Sequence, residues 1–171
     1  MTLPYPNIPY PGLVGDVQQA AEITADLANL DSRIGDYLYG TWTPQLAGDG
    51  TAGTPTYVTQ HGKYVKIGKL VTLQFAVEIS AKTGMVGNLV VANLPFTSSA
   101  TATNPGAGMT SFQHGLTYSA SYTSIGFEVG PSVTFAQITQ HGSNVDSLFL
   151  PMSGVASSAS IYGTVTYMTD S

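Results

Sequence analysis

The chain has 171 residues and a formal net charge of −5, and charged residues make up only 9% of it, against roughly a quarter in an average soluble domain. With 43% hydrophobic residues and ten tyrosines it has the composition of a packed chain, and no cluster of Lys and Arg offers a face to nucleic acid. Without cysteine there is neither a disulfide nor a thiolate zinc site, and with no signal-peptide pattern and no run of about 18 apolar residues, no membrane span is expected.

Residues 1–15 come first. Four prolines within the first eleven positions forbid a helix, because each lacks an N–H and holds its predecessor extended. Disordered tails are usually charged and polar, whereas this one alternates Pro with Tyr, Ile and Leu. It reads as a pre-extended docking arm for another protein, carried by Pro4, Tyr5, Pro6, Ile8, Pro9 and Tyr10, with a disordered tail as the alternative.

Residues 16–39 carry a helical period. Asp16 and Gln19 stand at capping-box spacing, and the acids of the early turns complement the helix dipole. Apolar residues then fall at Ala20, Ile23, Leu27, Leu30, Ile34 and Tyr37, a 3-4-3-4-3 spacing that predicts a short coiled-coil stalk. Leu at a with Ile at d leans toward three or four strands rather than two. About two and a half heptads are too short to hold chains together alone, so trimerisation should also involve the domain C-terminal to the stalk. An amphipathic helix lying on its own domain would show a wider apolar stripe. Of the ten acids, five lie within residues 1–40, and Gly40 is placed to end the helix.

From Gly40 onward strand-like runs alternate with turn signals every eight to twelve residues or so, the pattern of a sandwich or barrel. Expected strands are Thr56–Gln60, Tyr64–Lys66, Leu70–Ile79, Leu89–Asn93, Met109–Phe112, Thr117–Tyr122, Ile125–Val129, Val133–Thr139, Ser147–Leu150 and Ser160–Met168, with a long loop over Thr97–Gly108. Leu70–Ile79 alternates most clearly, placing Val71, Leu73, Phe75, Val77 and Ile79 on one side. Gln60-His61-Gly62-Lys63 reads as a hairpin flanked by Tyr57 and Tyr64, and Trp42 as the residue that pins the first strand to the domain.

Three segments in order, Gly40-Thr41-Trp42-Thr43-Pro44, the stretch from Thr56-Tyr57 through Gln60, Gly62, Tyr64, Lys66, Ile67 and Gly68, and Gly87 through Leu94-Pro95-Phe96, resemble the C-terminal knob domains of bacteriophage tail fibres, tailspikes and head fibres. Tyr162-Gly163-Thr164-Val165-Thr166-Tyr167 resembles the closing strand of such domains. The resemblance implies an all-β fold: a jelly-roll-like β-sandwich knob at 40–171, preceded by the extended arm and a short trimeric coiled-coil helix. It further implies a homotrimer displayed on a virion, made in the host cytoplasm, joined to other virion proteins of tail or capsid, and contacting host surface glycans.

Chemistry is sparse. Each of the three histidines sits in Gln-His-Gly (His61, His114, His141), which reads as a turn signal; no acidic partner or His-x-His accompanies them, so no metal is expected. Beyond residue 40 the acids are Asp49, Glu78, Glu128, Asp146 and Asp170; Asp49 and Asp170 read as exposed, and Glu78 with Glu128 is the pair that could meet across strands or subunits for glycoside hydrolysis. There is no nucleophile elbow or P-loop, and Pro105-Gly106-Ala107-Gly108 lacks the required Lys. No cofactor and no catalysis are expected. Tyr118, Tyr122 and Phe127 among Ser and Thr offer stacking faces and adaptable hydrogen bonds for a glycan, or equally an interface between copies. The leading expectation is a trimeric fibre or spike; the alternatives are a capsid decoration protein, favoured by the short stalk, and a glycan depolymerase.

Overall fold

The computed structural model describes residues 21–30, 37–101 and 105–170. The docking-arm residues Pro4 to Tyr10, and the seam positions Ala20 and Ile34, lie outside the described residues. The chain divides into two compact units, 1–36 and 37–171.

In the first unit, residues 21–30 form helix α1, and Ile23, Leu27 and Leu30 all stand exposed on it, at 59%, 59% and 50%. The stalk expectation needs one correction. Tyr37, expected as the last seam position of the helix, is the first residue of a strand, so the β unit begins there rather than at Gly40. Gly35 and Gly40 disfavour a helix on either side of it, and Tyr37-Leu38-Tyr39 is β-favouring.

The second unit is all-β. Among the described residues its strands are β1 (Tyr37–Trp42), β2 (Gln45–Gly48), β3 (Thr56–Ile67), β4 (Leu70–Ala81), β5 (Leu89–Ala92), β6 (Gly106–Leu116), β7 (Tyr122–Val129), β8 (Phe135–Gly142), β9 (Leu148–Phe149) and β10 (Val155–Met168). They form one antiparallel sheet in the order β1-β3-β4-β10-β6-β7-β8-β5-β2, with β9 added on β8. The sheet curls until its two ends approach: the Tyr57 hydroxyl on β3 donates to the Leu46 carbonyl on β2 (3.2 Å), and the Gln60 side-chain amide donates to Pro44 (3.0 Å). A curled sheet closes over its own concave face in the manner of a sandwich.

That concave face is the core. Val71, Leu73, Phe75, Val77 and Ile79 are all buried, as the alternation of β4 predicts, and each contributes about 1.5–3 kcal/mol. Phe75 is the aromatic hub, edge-on to Trp42 at 6.0 Å and to Phe127 at 5.3 Å.

Two local expectations are overturned. Gln60-His61-Gly62-Lys63 is not a hairpin: β3 runs unbroken through it, and the turn falls at Gly68-Lys69, where Gly68 takes the left-handed conformation (φ 56°) that a two-residue hairpin demands. Gly62 is small for another reason. A Cβ there would lie 2.4 Å from Nε1 of Trp42, the residue that packs across it from β1. Residues 117–121, expected within a strand, form the β6–β7 connection, with Ser121 in the left-handed region (φ 73°).

Candidate functional site

The ladder register sorts the side chains of the five strands β1, β3, β4, β10 and β6 into an inner, core face and an outer one. Tyr37, Ile67, Leu70 and Met168 stand in one outward row; Tyr39, Val65, Thr72 and Thr166 form the next. Further along come Thr41, Lys63, Gln74, Thr164 and Met109, then His61, Ala76, Tyr162 and Phe112. The first two rows make an apolar group, with the rings of Tyr37 and Tyr39 5.9 Å apart. Met109, Phe112 and Tyr162 make a second, with the rings of Phe112 and Tyr162 5.0 Å apart. Near Ala76 the surface forms a hollow of about 650 Å³ lined by Thr41, His61, Lys63 and Gln74. Exposure on this face is high: 75% for Tyr39, 60% for Ile67 and 76% for Met109.

A second feature is a slot in the sheet. β6 and β7 pair only over Gly106–Met109 with Gly126–Val129. Beyond that the two strands run on without a ladder between them and leave a groove of about 370 Å³ lined by Thr110, Ser111, Phe112, Gln113, Tyr118, Thr123, Ser124 and Ile125. Every one of these side chains is uncharged. The Oε1 of Gln113 is buried and takes no hydrogen bond, and Gln113 shares its row with the core residue Ile161. Tyr118 comes from the connection that closes the slot. That connection is held by Gln140, whose amide oxygen accepts from the Ser119 backbone N–H (2.7 Å). Partial burial pushes the Tyr118 hydroxyl above the usual phenol range.

The three aromatic residues expected at a glycan surface part company. Tyr118 lines the slot; Tyr122 is half-buried, its hydroxyl donating to the Asp146 carbonyl (2.9 Å). Phe127 cannot contact a ligand, because it is 3% exposed and packs edge-on to Phe75. Its neighbours in sequence are polar, but the period of two sends it inward. Conversely, Tyr39, Ile67 and Met109 do not stand out in the sequence. Their one signal is a strand with large apolar residues on both alternating faces, as in Tyr64-Val65-Lys66-Ile67.

The titratable groups do not converge. His61, His114 and His141 lie on β3, β6 and β8, all within strands rather than at hairpin corners. His141 Nε2 is 3.0 Å from the Thr139 hydroxyl, and no three metal-ligating side chains cluster among the described residues. Glu78 aligns with Ser160, whereas Glu128 aligns through Ala107 with Thr166. At about 4.8 Å per strand and 3.3 Å per residue, three strands across and six residues along separate them by well over the 5–10 Å of a glycosidase pair. Asp49 and Asp170 are occupied as clasps. Asp49 accepts from the Asn88 backbone N–H (2.7 Å) and side-chain amide (2.9 Å), and Asp170 from the Ser99 hydroxyl (2.6 Å) and the Ala100 N–H (2.9 Å). Hydrogen bonds from these partners hold both carboxyls below the usual 3.8.

No protein-family model matches the sequence, and no curated protein matches it. Among solved structures the chain is similar to the crystal structure of the Dettilon tailspike protein (gp208), with a TM-score of 0.60 and 19% identity over 77% of this chain and 24% of that one. The chain therefore spans about a quarter of that protein's length, and the likeness is one of fold.

Proposed function

We propose that this chain is a structural, non-enzymatic protein of a bacteriophage virion. In this reading it is a homotrimeric fibre or spike that docks by its N-terminal arm and displays the curled sheet as a jelly-roll-like knob toward host surface glycans. The observation that carries the reading is the succession of exposed, heptad-spaced Ile23, Leu27 and Leu30 followed by a sheet similar in fold to part of a tailspike protein. Three copies of α1 would bury that stripe as a seam. The separation of Glu78 and Glu128 supports a binding rather than a cleaving knob. The slot beside Tyr118 supplies hydroxyls and aromatic edges, and its lack of charge suits a neutral sugar.

The experiment is adsorption of purified chain to host cells and to isolated surface polysaccharide. Tyr118→Ala together with Ser124→Ala should reduce binding at least tenfold with the trimer intact. Binding unchanged by both substitutions would remove the slot from the reading, and steady depolymerisation of the polysaccharide would overturn the non-enzymatic assignment.

A further inference from the structure

We infer that the outer face of the β1-β3-β4-β10-β6 half-sheet is a second self-association surface, covered in solution by other copies of this chain. The inference rests on the trimer reading above and deepens it by naming where the knobs meet.

Exposed apolar residues are the first argument. Tyr39, Ile67 and Met109 stand 75%, 60% and 76% exposed, and Tyr37, Leu70, Met168 and Phe112 on the same face are each 40% exposed or more. Single exposed apolar side chains are ordinary on a monomer, but this many on one face mark an interaction surface. Charge is the second. Lys63 and Glu78 are the only formally charged side chains among the outward positions of these five strands, and they are opposite in sign. A face so balanced meets a copy of itself without net repulsion. A nucleic acid would need a basic surface here, and the hydroxyl-rich lining that suits a sugar lies in the slot. Chain continuity is the third. Residues 31–36 alone separate Leu30, the last described position of the exposed helical stripe, from Tyr37, the first residue of the face. Copies joined along the stripe bring their β1 strands together at high effective concentration. The helix in turn is too short to associate alone, so each surface completes what the other lacks.

The test uses the full chain in analytical ultracentrifugation, with Ile67→Asp and Tyr39→Asp on the face, Leu27→Asp on the helix, and the exposed Val86→Asp as an off-face control. The face variants should weaken association at least tenfold, while the control leaves it unchanged. If Leu27→Asp dissociates the assembly and the face variants do not, the face is idle and the inference fails while the helical trimer stands. A wild-type chain that is monomeric at all concentrations overturns both. A second readout does not depend on the aspartate variants folding. The chain has no cysteine, so Ile67→Cys and Val86→Cys each provide a single thiol. Maleimide labelling at residue 67 should be at least tenfold slower than at residue 86, and equal rates would contradict the inference.

Discussion

Single residues in this chain serve packing more often than their neighbours in sequence imply. Gln-His-Gly occurs three times and resembles a turn, yet Gly62 is required because the Trp42 indole lies where its Cβ would be. Gly62→Ala should therefore destabilise the protein by about 1–3 kcal/mol through overpacking, seen as a lowered Tm. Gly68→Ala meets no neighbour but forces a left-handed alanine, a cost of about 1 kcal/mol. Phe127→Ala should cost about 3–5 kcal/mol by opening a cavity beside Phe75. An unchanged Tm would show that the ring does not pack in the core. From sequence, the core strand β4 is fully legible, because its alternation is unbroken. Phe127 is legible in the same way, since Ile125, Phe127 and Val129 alternate on one side; grouping it with Tyr118 and Tyr122 by the Ser and Thr nearby overlooks that period.

At the scale of elements, the strand expectations succeed where alternation and length agree, as in β4, β5 and β10, and fail where a chain reversal has to be inferred from composition. Composition divides Thr56–Ile67 at a glycine that is not a turn. It also joins residues 117–121 to a strand, although Gln140, distant in sequence, holds them as a connection. Long-range pins of this kind have no local signal. Two other pins are carboxylates and give a pH signature. Asp49 clasps Asn88 and Asp170 clasps Ser99 and Ala100, and both have folded-state pKa values below the usual 3.8. Stabilisation from a depressed carboxyl is fully present above the unfolded value and is lost as pH falls through the folded one. The Tm should accordingly lose the contribution of these clasps below about pH 3.8. Asp49→Asn and Asp170→Asn should flatten that acid limb, and an acid limb unaltered in the double variant would remove both clasps from the account.

For the molecule as a whole, the all-β class of the second unit and the exposed stripe Ile23, Leu27 and Leu30 of the helix can be read from periodicity alone. The outer sheet face cannot, because an apolar residue facing outward has the same sequence signature as one facing the core until register assigns the sides. Division of labour between the segments yields its own prediction. Deleting residues 1–15 should leave a folded assembly that no longer joins particles, measured by its absence from purified virions after complementation; normal incorporation would remove the arm from the docking role.

The most direct measurement is a cryo-EM reconstruction of intact particles that contain this chain. The account predicts threefold knob density at the particle surface, with the outer sheet faces of three copies turned toward one another and the Tyr118 slots open to solvent. Knobs that stand as separate monomers, or that turn their outer sheet faces to solvent, would contradict it.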